Sequence, residues 1–344
     1  MYTILDYLEY YKDIEPEKTK WNVLDNLLCA TLAYLPVDSF EGPLDFNGFY
    51  LYASKFKNRQ KTNPIAPKAY EILEIIKGSS RYNKLKVYNF LSYKDNEVQF
   101  GAVTFRIEDE TVVSFMGTDN SKIGWFENFR LSYEYPTKTQ QFAIEYLNRN
   151  IRFFENQNLS VVGHSKGGNL AMASVMELSN FNFKKVKYVY NFDGPGFKKE
   201  EFESEKFKKL LKKLVNVVPS NSTVGTLLNN QNYTVVKCAG MAFATHHPTS
   251  WSVFGEHFVK DKLSGLSKQL NESTTKGLES VSIEKRREAF EAIFKSFEGE
   301  QSKDFEISFT NIVKFIKNVK NIDPEVSKSI EIIADAMIKA KNKE

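Results

Sequence analysis

The chain has 344 residues, of which 42% are hydrophobic and 26% are charged. Its formal net charge is only +4, a balance that gives no electrostatic argument for nucleic-acid binding, so no nucleic-acid partner is expected. Only two cysteines, no membrane-length apolar stretch and an acidic N-terminus without a signal-peptide pattern together predict a soluble cytoplasmic protein.

Helices and strands alternate along the middle of the sequence. Apolar residues at helical spacing predict helices over residues 21–34 and 70–77, separated by a polar stretch that contains proline and glycine. Two β-rich runs at 98–107 and 111–115, joined by three acidic residues, predict a hairpin. Further elements follow in chain order: a helix at 138–150, a strand at 159–162, a helix at 169–178, a strand at 186–192, a helix at 202–214, and strands at 215–218 and 233–237.

This alternation predicts an α/β fold with a mostly parallel sheet covered by helices on both faces. Beyond residue 250 the sequence becomes charged, with helical patterns at 251–269, 283–297, 305–319 and 324–341. We therefore expect one domain over residues 1–250, which includes the N-terminal helical region. A C-terminal helical extension over residues 251–344 is expected to pack on it or beside it.

The most informative segment contains G-x-S-x-G, formed by Gly163, Ser165 and Gly167. A strand is predicted before it and a helix after it, the context in which such a serine sits on a sharp turn above the sheet. The N-terminus of that helix favours developing negative charge. We expect Ser165 to be a nucleophile and the backbone N–H of Lys166 to be an oxyanion donor. A plain tight turn is the alternative.

Four segments resemble the class 3 (fungal-type) lipase superfamily, and more closely its bacterial Mbeg1-like branch. They are the run FMGT at 115–118 with Trp125, the elbow segment at 163–171, the run NFDGPGF at 191–197, and the run HHPTSW at 246–251. The resemblance implies an α/β-hydrolase fold, lipase-like ester hydrolysis and no metal or other cofactor. It also places the second oxyanion donor at Thr118. Met116 stands where the family usually has an arginine, a residue that would be structural.

A catalytic serine needs a base, and the chain has only four histidines. His164 lies inside the elbow and is expected to point away from the serine, while His257 falls on a predicted helix. His246 and His247 lie in a loop downstream, which matches the chain order serine, acid, histidine. The resemblance places the family's histidine on His246. Because the aspartate that usually follows is His247 here, His247 stays an alternative base, as does a site without a catalytic histidine.

The triad acid has no carboxylate at the position that the resemblance implies. The resemblance places it near residues 217–225, which contain no carboxylate. Asp193 is the predicted substitute, since it ends the strand beside the elbow strand and its carboxylate would emerge at the same edge as Ser165. An aspartate before Gly-Pro-Gly is also a natural turn initiator. A Ser–His dyad, or support of the histidine by Asn221 or Ser222, therefore stays open.

These residues predict a serine hydrolase of lipase or esterase type that acts on a small-molecule or lipid acyl ester. The aromatic residues at 120–136 are interpreted as a lid, an acyl-binding wall or plain core. Two other functions stay open: a weakly active or inactive hydrolase-fold scaffold that binds a lipid or protein, and an acyltransferase that uses the same serine. The C-terminal helices leave peripheral membrane contact open, although mixed lysine and glutamate favour solvated faces. The sequence does not predict the oligomeric state.

Overall fold

The computed structural model describes residues 1–15, 17–119, 121–152, 158–240 and 242–296, together with residue 324. The helices predicted over 305–319 and 324–341 therefore lie outside the described residues, apart from residue 324. The domain boundary predicted after residue 250 stays a prediction.

Twelve helices and ten strands are numbered here in chain order within the described part of the chain. The helices are α1 (Ile4–Tyr11), α2 (Val23–Leu32), α3 (Phe46–Ser54), α4 (Ala66–Ile75), α5 (Lys122–Arg130), α6 (Lys138–Asn150), α7 (Lys166–Met176), α8 (Asn180–Lys185), α9 (Lys199–Phe202), α10 (Glu205–Leu210), α11 (Gly265–Glu279) and α12 (Ile283–Ser296). The strands are β1 (Leu44–Asp45), β2 (Lys86–Lys94), β3 (Gln99–Ile107), β4 (Glu110–Phe115), β5 (Asn158–His164), β6 (Val186–Phe192), β7 (Leu214–Pro219), β8 (Tyr233–Val236), β9 (Val253–Phe254) and β10 (His257–Phe258). Short 3-10 turns occupy Lys57–Thr62, Ala242–His246 and Pro248–Ser250.

Strands β1 to β8 form one sheet in strict sequence order. The pairings from β1 to β4 are antiparallel and those from β4 to β8 are parallel. Parallel strands place their carboxyl ends at one edge of the sheet, where ligands bind in open α/β folds. The predicted hairpin is β3–β4, and its turn contains Glu108 in the left-handed region (φ 51°).

Helices cover both faces of the sheet, and its central strands are therefore buried on both sides. On β5, Val162 joins the apolar cluster that packs against α1, α2 and α4. Its neighbour Val161 joins the opposite cluster, which packs against α6, α7 and α10. The predicted α/β-hydrolase fold is confirmed by this arrangement.

Strand β2 was not predicted, and its geometry explains the omission. The register against β3 shifts between Tyr88 and Leu91, and Asn89 in the interruption has a φ of 49°. A bulge of this kind breaks the alternation of apolar and polar residues by which a strand is recognised in a sequence.

The helix predicted over 251–269 is wrong for residues 251–264. Trp251 pairs with Cys238 instead, and β9 and β10 form a small hairpin around Gly255, whose φ is 59°. Helix α11 begins only at Gly265, where the hydroxyl of Ser264 accepts the N–H of Ser267 as an N-cap. His257 consequently lies exposed on β10 and not on a helix.

The described part of the C-terminal region packs on the aromatic helix α5. Phe290 and Phe294 of α12 stack on Phe129 and Phe126, with ring centroids 4.7 and 4.0 Å apart. Among the described residues, no helix combines the length and the apolar character needed to span a bilayer.

Candidate active site

Ser165 occupies a strained turn between β5 and α7. Its φ of 58° and ψ of −134° lie in a region that residues other than glycine rarely adopt, and such strain concentrates at functional sites. Its N–H donates to the carbonyl of Phe192 at 3.0 Å, which ties the turn to the end of β6.

Gly163 is required by the close approach of β5 and α7 around this turn. A Cβ at Gly163 would lie 2.1 Å from the carbonyl carbon and oxygen of Gly167, which are backbone atoms that cannot rotate away. The glycine of the G-x-S-x-G pattern therefore lets the helix begin directly against the strand, and the serine stands at the carboxyl edge of the sheet.

Asp193 and His246 lie in direct contact at the same edge. Strand β6 runs beside β5, with Phe192 opposite His164, so Asp193 follows β6 at the level of the serine turn. Its Oδ2 lies 2.6 Å from Nδ1 of His246, which comes from the 3-10 turn after β8. With the proton on Nδ1, the imidazole keeps Nε2 free to accept another proton.

The second carboxylate oxygen of Asp193 is held by the loop after β7. Oδ1 accepts the hydroxyl of Ser222 at 2.5 Å and the N–H of Gly225 at 3.0 Å. Asp193 is fully buried, so these two bonds and the imidazole satisfy a carboxylate that water does not reach. The sequence left Ser222 open as a support for the histidine, whereas in the structure its hydroxyl donates to Asp193.

His247 faces away from the acid. Its Nδ1 accepts the hydroxyl of Thr249 at 2.8 Å and the N–H of Thr249 at 3.3 Å. Burial lowers the pKa of His247 most, and together with the nearby His246 and Lys68 it brings the pKa to about 4. The structure thus brings His246, and not His247, to Asp193.

His164 is buried beneath the site and has both ring nitrogens engaged. Nε2 donates to the carbonyl of His246 at 2.7 Å, and Nδ1 accepts the hydroxyl of Tyr34 at 3.0 Å. Burial lowers the pKa of His164 well below its usual value, as does the nearby imidazole of His246. A neutral ring with both nitrogens bonded is a support for the loop of His246 and not a base.

Ser165 itself is 8% exposed. Its hydroxyl forms no hydrogen bond with any residue that the structure describes. In enzymes without bound substrate the bond between nucleophile and base is often long, and it tightens in the Michaelis complex.

Two backbone N–H groups flank the serine. Lys166 is the first residue of α7, and the first N–H groups of a helix have no acceptor within the helix. Thr118 follows Gly117, and a Cβ at Gly117 would lie 3.0 Å from Cβ of Ser165, so this loop runs directly against Ser165. Both positions agree with those expected for oxyanion donors, a role that stays a prediction.

Three polar residues at this site were missed in the sequence. Tyr34 contacts His164, while Gln99 and Glu127 bond the buried side chain of Lys166. One signal was available: a lysine at the start of a buried helix requires a buried acceptor for its ammonium group. Within the described residues, no group of three or more His, Cys, Asp or Glu side chains could hold a metal ion.

The fold and the elbow define this protein as an α/β-hydrolase-fold protein. It belongs to the Mbeg1-like family, whose sequence model matches residues 76–295. No curated protein sequence matches the chain. Among solved structures it is similar to the native Rhizomucor miehei lipase propeptide complex, with 15% identity, a TM-score of 0.35 and coverage of 51% of this chain and 70% of that chain. It is also similar to M37 lipase, with 13% identity, a TM-score of 0.38 and coverage of 100% of this chain and 93% of that chain.

Proposed function

We propose that this chain is a serine hydrolase of lipase or esterase type, which cleaves an acyl ester by way of an acyl-enzyme. Ser165 attacks the ester carbonyl, and Nε2 of His246 takes the hydroxyl proton. Asp193 keeps the other proton of the imidazole on Nδ1. The observation that carries this proposal is the 2.6 Å contact between His246 and Asp193, beside the strained serine turn.

The tetrahedral intermediate places a negative charge on the former carbonyl oxygen. The N–H groups of Thr118 and Lys166 donate to this oxygen, and each donor of such a pair contributes on the order of 3 kcal/mol to the transition state. His246 then gives its proton to the departing alkoxide. Water, activated by the same imidazole, hydrolyses the acyl-enzyme and releases Ser165.

The proposed substrate is a small-molecule or lipid acyl ester, and the proposed compartment is the cytoplasm. Cys29 and Cys238 are both free thiols, as expected for proteins in a reducing compartment.

The test is ester hydrolysis by the purified chain, with 4-nitrophenyl esters from acetate to palmitate. Ser165→Ala and His246→Ala should each lower kcat on the order of 10⁴-fold or more, because each removes a chemical participant. His247→Ala is the matched control, since it removes the neighbouring imidazole, and its kcat should stay within about tenfold of wild type. Equal activity of wild type and Ser165→Ala would contradict the proposal.

A non-catalytic scaffold is the second candidate. It is favoured by the hydroxyl of Ser165, which has no hydrogen-bond partner among the described residues. A folded wild-type chain that hydrolyses none of the esters would support this candidate.

An acyltransferase that uses the same triad is tested by product analysis with an added alcohol or amine. Transfer is indicated if the acyl group appears mainly on the acceptor. A product that is mainly free acid indicates hydrolysis.

A further inference from the structure

The side chain of Lys166 is buried directly behind the serine turn. It is 1% exposed, and its ammonium donates to three oxygens at 2.8 Å: the carbonyl and Oε1 of Gln99, and Oε2 of Glu127. An ammonium group has three N–H donors, so every donor is used. Glu127 is equally buried, which makes this an ion pair that water does not reach.

A buried ion pair is weak evidence for stability, because removing both ions from water offsets much of their attraction. A contribution to stability therefore does not explain the pair, and its position beside the serine turn is the more informative feature. Lys166 provides the backbone N–H of one proposed oxyanion donor, and its own side chain reaches across to β3 and α5. There it meets Gln99, the first residue of β3.

Gln99 holds the segment that contains the other proposed donor, Thr118. Its Nε2 donates to the carbonyl of Gly117 at 3.3 Å, and its Oε1 accepts the N–H of Asp119 at 3.4 Å. The carbonyl of Gly117 and the N–H of Thr118 belong to one planar trans peptide and point in opposite directions. Anchoring the carbonyl from one side therefore aims the N–H of Thr118 toward the other side.

Glu127 bonds both Lys166 and Gln99. Its Oε2 accepts the ammonium of Lys166 at 2.8 Å and also the N–H of Gln99 at 3.2 Å. Neither Gln99 nor Lys166 can then shift without breaking a bond to the same carboxylate. The three residues are neighbours only in the folded chain.

We infer that Lys166, Glu127 and Gln99 are positioning residues, which fix the two oxyanion donors relative to each other across the serine turn. Lys166 thus acts twice, through its backbone N–H and through its side chain. This inference rests on the proposed function and adds to it the residues that orient the N–H of Thr118. A purely structural ion pair would affect only the stability of the fold.

Gln99→Met is the first test, because it removes the side-chain amide and keeps the two charges paired. Tyr82→Phe is the matched control: it removes a buried hydrogen bond of 2.6 Å to Asp25, away from the serine. Oxyanion charge exists only in the transition state, so a misdirected donor lowers kcat and leaves KM almost unchanged. Because removal of a whole donor lowers kcat about 10²–10³-fold, we expect Gln99→Met to lower it roughly 10–100-fold. Tyr82→Phe should leave kcat and KM within about twofold of wild type.

The double variant Lys166→Met with Glu127→Gln is the second test, since it removes both charges without leaving one of them unpaired. A loss of kcat at unchanged KM, in a chain that unfolds cooperatively, would support the inference for the ion pair. If both variants fold and keep kcat within twofold of wild type, while Ser165→Ala is inactive, the inference is overturned and the proposed function stands. A wild-type chain without ester hydrolysis overturns both.

Discussion

Replacing Asp193 by asparagine is expected to change the tautomer of His246 while the fold is kept. Asparagine has nearly the same shape and is also tolerated at positive φ, and Asp193 has a φ of 52°. The carbonyl oxygen of the asparagine is expected to take the place of Oδ1, because that atom accepts two donors, from Ser222 and Gly225. The amide NH₂ must then face Nδ1 of His246.

An NH₂ group at this position turns Nδ1 into an acceptor and moves the imidazole proton to Nε2. The histidine can then no longer take the proton of Ser165. The same change in a well-studied Ser-His-Asp triad lowers kcat about 10⁴-fold, which corresponds to roughly 5 kcal/mol of activation free energy. We expect a loss of this order for Asp193→Asn, measured as kcat for the best 4-nitrophenyl ester.

Ser222→Ala is the matched control for this variant. It removes one hydrogen bond to Oδ1 of Asp193 but leaves the carboxylate and the tautomer of His246 unchanged, so kcat should fall by less than about tenfold. Both variants should fold, as checked by circular dichroism and urea unfolding. If Asp193→Asn is folded and retains kcat within tenfold of wild type, Asp193 does not act as the triad acid.

Three further predictions concern the polar residues around the site. Gly117→Ala should lower the free energy of unfolding by at least about 1–3 kcal/mol and suppress activity, because its Cβ would lie 2.0 Å from the hydroxyl oxygen of Tyr34; urea titration measures the first effect. Tyr34→Phe should cost about 1–3 kcal/mol of unfolding free energy in the same titration, because it leaves Nδ1 of His164 without its buried donor. Acid should destabilise the fold through His247, because its pKa of about 4 in the folded chain lies below the usual value near 6.5. The unfolded chain then binds more protons, so stability present above pH 6.5 is lost as the pH falls toward 4. From pH 7 to pH 5 the loss from this group is about 2 kcal/mol, and His247→Gln should show a correspondingly shallower pH dependence.

The sequence contained enough information for the parallel part of the sheet and for the edge at which the proposed catalytic residues lie. Alternating strands and helices indicate a parallel sheet, and adjacent parallel strands bring their carboxyl ends together. That reasoning predicts Asp193 beside Ser165 from the sequence. Chain order indicated the loop that holds His246 and His247, and the family resemblance favoured His246 over His247.

The bonds behind the serine turn could not be predicted, because they join residues far apart in the chain. Lys166 lies 67 residues from Gln99 and 39 from Glu127, and Tyr34 lies 130 residues from His164. No local periodicity reports such contacts, since they arise from the way β3, α2 and α5 pack around the elbow. The hairpin of β9 and β10 was missed for a similar reason. Its extended conformation depends on the residues with which it pairs and is not indicated by its composition.

The central claim is that Ser165 is an activated nucleophile, and covalent labelling tests it most directly. The wild-type chain is incubated with a fluorophosphonate, with and without detergent micelles, and the modified residue is located by peptide mass spectrometry. The account predicts one adduct on Ser165, no adduct in Ser165→Ala and much slower labelling in His246→Ala. An adduct on another residue, or no adduct in either condition, would contradict it.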